Sequence, residues 1–548
     1  MILTNIQCSI NTSSLQDVDL VTTNLIEDVV AEIKHSKNDP VFSFNSTCIK
    51  RAPRSFHYHI SNIIKMFLIH GHVSDILLLS TIVPLVKDKQ GDIKSSDNYR
   101  SIALSSVILK IFDWVVLTLF EDQLALDDLQ FSYQKRCSTN MCTWMVVESI
   151  NHFTRNNSDV YTCFMDMKKA FDMVKHGMIF GKLIERNVPA IYIRLLLVMY
   201  KSQSAKVKWK RDMSDSFSIS NGVKQGAVLS AILFCIYIND LIKELRKNRE
   251  GCWVNGGYVG ILVYADDIAL LSPTMDGLQN MIDTCEGYAK RHNLSFSTNE
   301  NPSKSKTKCM AFLRESRTLK NMKLNGKSLP WVGSLRHLGT TLTSSHGSCT
   351  LDQDLLEKRA MYIAKNNELG QEFFFAHPNT KIWINNVYNT SFYGAPLWDL
   401  TSRNLEKLEK TWNVSARVML GLPRTTHRYL IEPLTGTQHI IKSIRNRFLK
   451  FMHSIAEGKK LALKRVLNAI LMDVRSTTGK NLRYLMLQTA SFRVKEIDVY
   501  KEPYKQIPTK EMWRIPLIEE MIATKNNERT IILSIPEMDD LMEYACCT

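Results

Sequence analysis

The chain has 548 residues, 45% of them apolar and 23% charged, which excludes a small disulfide module, a fibrous repeat and a wholly disordered polymer. Seventy Lys and Arg against 54 Asp and Glu leave a formal charge of +16, an excess that favours a polyanionic partner, nucleic acid or an acidic membrane surface. Residues 401–500 hold 19 basic and 7 acidic side chains, so most of that excess sits in one hundred residues. The 12 cysteines are scattered, and the close groupings Cys137/Cys142 and Cys546-Cys547 give neither zinc-ligand spacing nor a disulfide framework. The N-terminus lacks the pattern of a signal peptide, and apolar runs such as Ala227–Ile238 and Ile191–Tyr200 fall short of the roughly 20 residues a spanning helix needs. The expectation is an intracellular protein, nuclear or cytoplasmic, with no membrane partner.

Residues 1–60 are polar and weakly periodic and read as an N-terminal extension. A helical stretch through Ile63, Ile64, Phe67 and Leu68 follows, then a strand at Ser80–Val86, a polar break at Lys87–Asn98 and a helix through Ile102–Phe120. Next come a short apolar strand at Tyr161–Asp166, a β-like stretch at Ala205–Ser220, a helix from Ala227 to about Arg246 and a hairpin across Tyr258–Leu271. Thr274 is placed to cap a helix whose Leu278, Met281, Ile282, Cys285 and Tyr288 form one core-facing stripe. Strands at Cys309–Leu313 and Leu335–Leu342 flank an Asn325-Gly326 turn, and beyond about 350 the chain is mainly helical and basic. Irregular alternation of this kind predicts an α+β fold.

One set of residues offers chemistry. Asp166 ends an apolar strand, and Asp266-Asp267 lie between the apolar arms Ile261–Tyr264 and Ile268–Leu271. Carboxylate oxygens on rigid backbone suit hard divalent cations, and two such ions about 4 Å apart are what nucleotidyl transfer onto a 3′-hydroxyl requires. An Asp pair between strands is also an ordinary solvated turn, so the surrounding motifs decide.

Those motifs are Phe164-Met-Asp-Met-Lys-Lys-Ala-Phe-Asp172, then Gly222-Val-Lys-Gln-Gly-Ala-Val-Leu-Ser-Ala-Ile-Leu-Phe234 with Ile236-Tyr-Ile-Asn-Asp-Leu241, then Tyr264-Ala-Asp-Asp267. In this order they resemble the palm of the reverse transcriptases of non-LTR (LINE-type) retrotransposons. Upstream, Val83-Pro-Leu-Val-Lys87 with Ser96–Leu104 resembles the family's fingers motif, and Gln130–Tyr133 with Ser138-Thr139 its insertion before the palm. Downstream, Asn301–Phe312 resembles the motif after the palm helix and His337–Leu342 the primer-gripping strand, while Tyr393-Gly394, Leu397-Trp398, Leu422–Arg424 and Thr426–Arg428 are similar to the region that follows.

The resemblance implies a right-hand polymerase: an N-terminal extension at 1–60, fingers and an antiparallel-sheet palm at 61–345, a basic helical thumb or connection at 346–500 and an acidic tail at 501–548. It implies that Asp166, Asp266 and Asp267 hold Mg²⁺, with Mn²⁺ as a substitute, and that Lys306 protonates the departing pyrophosphate. Lys87 and Arg100 would clamp the triphosphate, Phe171 would stand against a ribose 2′-hydroxyl, Gln225 and Gly226 would approach template and nucleotide, and Leu338 and Gly339 would grip the primer. The implied activity is RNA-directed DNA polymerisation, with an RNA template, a DNA primer, dNTPs and a ribonucleoprotein with its own transcript as partners. No endonuclease pattern is read in the residues ahead of the fingers. Ala227-Val228, where the family has small residues or Pro, and the altered insertion motif motivate an alternative, a catalytically decayed nucleic-acid-binding protein derived from such an element.

Overall fold

The structure, a computed structural model, describes residues 14–488 apart from 36, 37, 41, 43, 90, 302, 303, 390, 391, 472 and 474. The acidic tail expected at 501–548 and the pair Cys546-Cys547 lie outside the described residues. In chain order the principal elements are α1 (Thr23–Glu32), α2 (Arg54–His70), β1 (Leu79–Val86), β2 (Tyr99–Leu104), α3 (Val107–Leu119), α4 (Thr139–Arg155), β3 (Val160–Asp166), α5 (His176–Glu185) and α6 (Ala190–Lys201). There follow β4 (Ser204–Trp209), β5 (Asp212–Met213), β6 (Phe217–Ser218), α7 (Val228–Asn248), β7 (Trp253–Val254), β8 (Gly257–Tyr258), β9 (Ile261–Tyr264), β10 (Asp267–Ser272) and α8 (Met275–Arg291). Strands β11 (Lys308–Phe312), β12 (Lys323–Leu324), β13 (Lys327–Ser328), β14 (Ser334–His337), β15 (Thr340–Ser345) and β16 (Ser348–Thr350) precede the helices α9 (Asp352–Glu372), α10 (Pro378–Asn389), α11 (Arg403–Leu420), α12 (Ile440–Glu457), α13 (Leu461–Leu471) and α14 (Thr477–Gln488).

The chain folds as two units: Met1–Tyr133 with Asp166–Asn248 and Asp283–Ser297, and Gln134–Met165 with Arg249–Ile282 and Thr298–Thr548. In the first, α1 begins where the Thr22 hydroxyl accepts the Leu25 amide at 3.2 Å, and its Ile26, Val29 and Val30 are buried on one face. The buried Asp39 reaches α3, its Oδ2 accepting from the Val107 amide at 2.7 Å and the Ser106 hydroxyl at 3.0 Å, so it satisfies a helix N-terminus far along the chain. The sheet runs β2-β1-β4-β5, with β6 also on β4. β1 and β2 are antiparallel, β1 and β4 parallel. Helix α7 is apolar on nearly every side, and Leu233, Phe234, Ile236, Tyr237 and Ile238 are all buried, as expected of a helix enclosed by its own unit.

The second unit is built on a four-stranded sheet in the order β11-β3-β10-β9. β3 is buried from Val160 to Met165, which explains its unbroken apolar run. Helix α4 starts with the Ser138 hydroxyl accepting the Met141 amide at 3.3 Å. It is tied to the C-terminal helices by Trp144 Nε1 donating to Thr478 Oγ1 at 3.0 Å and by the Arg155–Asp473 ion pair at 2.6 Å. Asn325 and Gly326, at φ +53° and +73° between β12 and β13, make the expected two-residue turn. The Thr274 hydroxyl caps α8 through the Gly277 amide at 3.1 Å, and the five-residue stripe of that helix is buried. No described helix is long and apolar enough to cross a membrane.

Three expectations change. Within residues 1–60, weakly periodic in sequence, Thr23–Glu32 is a helix that buries Ile26, Val29 and Val30, and the helical stretch expected through Ile63–Leu68 begins earlier, at Arg54, with Ile60, Ile64 and Leu68 buried. The helix expected across Ile102–Phe120 begins at Val107, because Ile102 and Ala103 are committed to β2 opposite Val83 and Ile82 and the Ser106 hydroxyl caps the Ile108 amide at 3.3 Å. The strand expected across Leu335–Leu342 is a hairpin, β14 and β15 joined at Leu338-Gly339, with His337 opposite Thr340.

Candidate active-site residues

In the first unit, two loops of the palm motifs are fastened together. The turn that follows β3 carries Phe171 and Asp172, and the loop ahead of α7 carries Gly222 to Gly226. The Val223 amide donates to Phe171 O at 2.8 Å and the Gly222 amide to Val174 O at 3.0 Å. Gly222, at φ +81°, is required by this docking: a Cβ there would stand 2.9 Å from backbone atoms of Phe171 and Asp172. Phe171 lies in a turn, half-buried, its ring stacked on that of Phe234 at a centroid distance of 4.7 Å. The same loop is seated on β2, since Gln225 O accepts the Ala103 amide at 2.8 Å and a Cβ on Gly226, at φ +109°, would meet Ala103 O at 3.1 Å.

Asp172, which lies inside the sequence motif without an implied role, is the electrostatic centre of this group. Desolvation holds its carboxyl above the ordinary value, opposed by the Lys169 charge, a hydrogen bond from the Gln225 side chain and the Lys87 charge. Lys169 also pairs with Asp97 at 3.0 Å. Lys87 follows β1 and donates from Nζ to Asp97 O at 2.8 Å. Arg100 is exposed on β2, opposite Leu85. Beneath the loop, Asp113 accepts the Leu229 amide at 3.4 Å at the start of α7. Burial pushes its pKa up to about 7 and that of Lys224 down to about 8, each partly restrained by the charge of the other. Neither carries a sequence signal, because both contacts join residues from distant segments of the chain.

Asp166 closes β3 half-exposed, and its carbonyl accepts the Ser297 amide at 2.7 Å. The other two acids stand on the second unit. β9 and β10 pair Tyr264 with Asp267, leaving Ala265-Asp266 as the two-residue tip. Ala265 sits at φ +55°, a left-handed conformation that disfavours a side chain. Asp266 and Asp267 are half-exposed, and the Asp267 charge, after burial, pushes the Cys142 thiol of α4 upward. Among the described residues no group of three or more His, Cys, Asp or Glu is gathered in a way that could hold a metal ion. Taken singly, Asp166, Asp266 and Asp267 are half-exposed carboxylates, the donor type that suits Mg²⁺ or Mn²⁺.

Lys306 is exposed in the loop just ahead of β11. Leu338 and Gly339 form the β14–β15 turn, both at positive φ, +46° and +83°. This turn is held from below: Lys358 Nζ donates to Gly339 O at 3.2 Å, Asp354 Oδ1 accepts the Thr341 amide at 3.1 Å and Asp354 Oδ2 accepts Trp398 Nε1 at 3.0 Å. Part of the basic block is engaged internally. Arg417 donates to Thr426 O, Lys442 pairs with Glu432 at 2.9 Å, and Arg445 donates to the Tyr484 hydroxyl at 2.7 Å.

Residues 87–342 match the family described as reverse transcriptase (RNA-dependent DNA polymerase). Among curated proteins, the chain is 24% identical over 235 residues to the "Retrovirus-related Pol polyprotein from type-1 retrotransposable element R2" of Nasonia vitripennis, covering 43% of this chain and 23% of that one. It is 24% identical over 345 and 374 residues to the "Probable RNA-directed DNA polymerase" of transposon X-element and of transposon BS, both of Drosophila melanogaster, covering 59% and 62% of this chain and 36% and 38% of theirs. The chain thus spans less than two fifths of the length of these relatives. A telomerase structure from Candida tropicalis aligns over 82% of this chain and 68% of that one at 14% identity with a TM-score of 0.38, too slight a likeness to carry a structural argument. Residues 87–342 thus carry a reverse transcriptase domain, and the curated proteins similar to the chain are RNA-directed DNA polymerases of non-LTR retrotransposons.

Proposed function

We propose that the chain is an RNA-directed DNA polymerase that extends a DNA 3′-hydroxyl on an RNA template with dNTPs, as in non-LTR retrotransposition. The observation that carries the reading is the match of residues 87–342 to the reverse transcriptase domain, within which Asp266 stands at the two-residue tip of the β9–β10 hairpin. In this reading residues 61–345 are fingers and palm and residues 346–500 the thumb or connection. Asp166 and Asp266 would hold the divalent ions, with Asp267 in support. Bound Mg²⁺ would lower the pKa of the primer hydroxyl and neutralise the triphosphate.

The chain's own residues do the rest. Lys87 and Arg100 orient the triphosphate, the guanidinium by paired hydrogen bonds. The Phe171 ring fills the space a ribose 2′-hydroxyl would need. Gln225-Gly226, fixed against β2 and Asp172, brings bare backbone close to the nascent base pair. Leu338 and Gly339 seat the primer end, and Lys306 gives a proton to the departing pyrophosphate. Template and primer are held through phosphates and duplex shape, with little base readout.

The test is primer extension by the purified chain on a DNA primer annealed to an RNA template, with dNTPs and Mg²⁺ or Mn²⁺, beside an Asp266→Asn variant. Extension by the parent and none by the variant is the expected result. Salt-sensitive binding without extension by either would replace the polymerase reading with the decayed, binding-only one.

A further inference from the structure

The fingers sheet carries a cationic face that extends past the two residues assigned to the triphosphate. Side chains directly opposite one another in a sheet share a face, and neighbours along a strand alternate. The registers Leu85↔Arg100 and Val83↔Ile102 on the β2 side, and Thr81↔Lys206 on the β4 side, put Arg100, Ile102, Lys206 and Lys208 on one face with Thr81, Val83 and Leu85. The pairing Lys208↔Met213 adds Met213 to that face, while Trp209↔Asp212 sends Asp212 to the other, where Trp209 meets Tyr99 edge-on at 5.5 Å. No strand residue of the first face is therefore acidic.

Three further observations turn this face into a site. It is open: Leu85 and Met213 are about half exposed, at 51% and 50%, and Arg100 and Lys208 are exposed. Its charge is uncompensated, since among the described residues neither Lys206 nor Lys208 has an ion-pair or hydrogen-bond partner, whereas Lys169 in the same unit is paired with Asp97. And it is continuous with the loop expected to approach template and nucleotide, because Ile102 Cγ2 lies 3.5 Å from where a Cβ on Gly226 would stand. Buried or paired lysines would add nothing for a polyanion; two unpaired ones, two residues apart on an extended strand, match the repeat of a single-stranded phosphate backbone to within a bond or two and can each displace a counterion from it.

We propose that Lys206 and Lys208, on the same sheet face as Arg100, form a phosphate-binding track for the single-stranded 5′ overhang of the template, ahead of the base pair being copied. The site deepens the polymerase reading and rests on it for the identity of the strand.

The test compares the full chain with Lys206→Gln/Lys208→Gln and with the conservative Lys206→Arg/Lys208→Arg, measuring binding by fluorescence anisotropy across a salt series. Two primer–templates are used, one with a long single-stranded RNA overhang and one with a single unpaired template nucleotide. A Lys201→Gln variant controls for a general loss of positive charge. The track predicts that the Gln pair lowers the slope of log affinity against log salt by about 1.4 on the long overhang, at about 0.7 per phosphate contact, leaves the short overhang unchanged, and is rescued by the Arg pair. An equal loss on both substrates, or none on either, overturns the track. The polymerase reading fails separately: no extension by the parent, with the overhang-specific loss intact, removes the reading and keeps the site, whereas normal extension without that loss does the reverse. Circular dichroism of the Gln pair, expected to match the parent, excludes misfolding as the cause.

Discussion

The ring of Phe171 lies nearly parallel to that of Phe234, their centroids 4.7 Å apart and their planes 20° apart. Phe234 is fully buried in α7, so a core residue fixes the position of a half-buried one in the turn after β3. If Phe171 excludes a 2′-hydroxyl, Phe171→Ala should erode the preference for dNTPs over rNTPs by roughly 10²-fold in kcat/KM. Phe234→Leu should erode it part way, because the ring above it loses its platform while the core keeps most of its volume, at a cost of about 1 kcal/mol. Competitive incorporation of the two nucleotide types measures both effects. Unchanged discrimination in Phe171→Ala would remove the role from that residue.

Gly339 faces the Tyr393 ring. A Cβ there would lie 2.9 Å from a ring carbon, and the residue sits at φ +83°, so Gly339→Ala combines a steric and a backbone cost. A loss of about 1–3 kcal/mol is expected, read as a shift in the urea midpoint. In a Tyr393→Leu background the steric part should be relieved and the two losses should not add. Simple additivity would show that the backbone conformation alone decides.

The legible parts of this chain are those in which local chemistry and global fold agree. Asn325-Gly326 announces its turn because both residues accept positive φ, and Tyr264–Asp267 announces a tip because apolar arms flank it. Leu338-Gly339 sends the opposite signal: a leucine at φ +46° is disfavoured locally and is held there by Lys358, Asp354 and Trp398, none of them near it in sequence. Ile102 reads as helical because the apolar pattern runs on into α3, and only pairing with β1 assigns it to a strand. The triplet Ile26, Val29 and Val30 does carry helical spacing, diluted by the polar residues around it. Of the candidate site, the strand-end acids are visible in the sequence. The docking of Gly222 on Phe171 and Asp172, and the partnership of Asp113 with Lys224, depend on contacts between distant segments.

Asp113 gives the first unit a pH dependence. Its carboxyl is pushed up to about 7 by burial, from 3.8. Between about pH 4 and 7 the folded chain keeps this proton and the unfolded chain does not, so the stabilising contribution is complete below pH 4 and is lost as pH rises through 7. Asp113→Asn retains an acceptor for the Leu229 amide and removes the titration. Its stability relative to the parent should therefore rise between pH 5 and 7, as measured by urea midpoints at both values. Above that window Lys224, held down to about 8 and now without its counter-charge, adds its own titration. A parallel pH profile for parent and variant between 5 and 7 would show that Asp113 is ionised throughout.

His337 gives the second unit a dependence of opposite sign. It ends β14 just ahead of the Leu338-Gly339 turn, buried, with its ring 5.0 Å from that of Phe164 and its Nε2 without a hydrogen-bond partner among the described residues. Desolvation lowers its pKa from 6.5 to about 4. From about pH 6.5 down to 4 the unfolded chain takes up a proton that the folded imidazole refuses, so stability is lost on acidification across that window, by on the order of 3 kcal/mol when complete. His337→Leu removes the titration while keeping an apolar side chain against Phe164. The difference in urea midpoint between pH 7 and pH 5 should shrink in the variant. In the parent, primer-dependent activity should fall on acidification below about pH 6.5, against the direction of the Asp113 contribution, because the turn that His337 precedes is the proposed primer grip. A variant that keeps the full acid sensitivity of the parent would place the responsible proton elsewhere and leave His337 a packing residue.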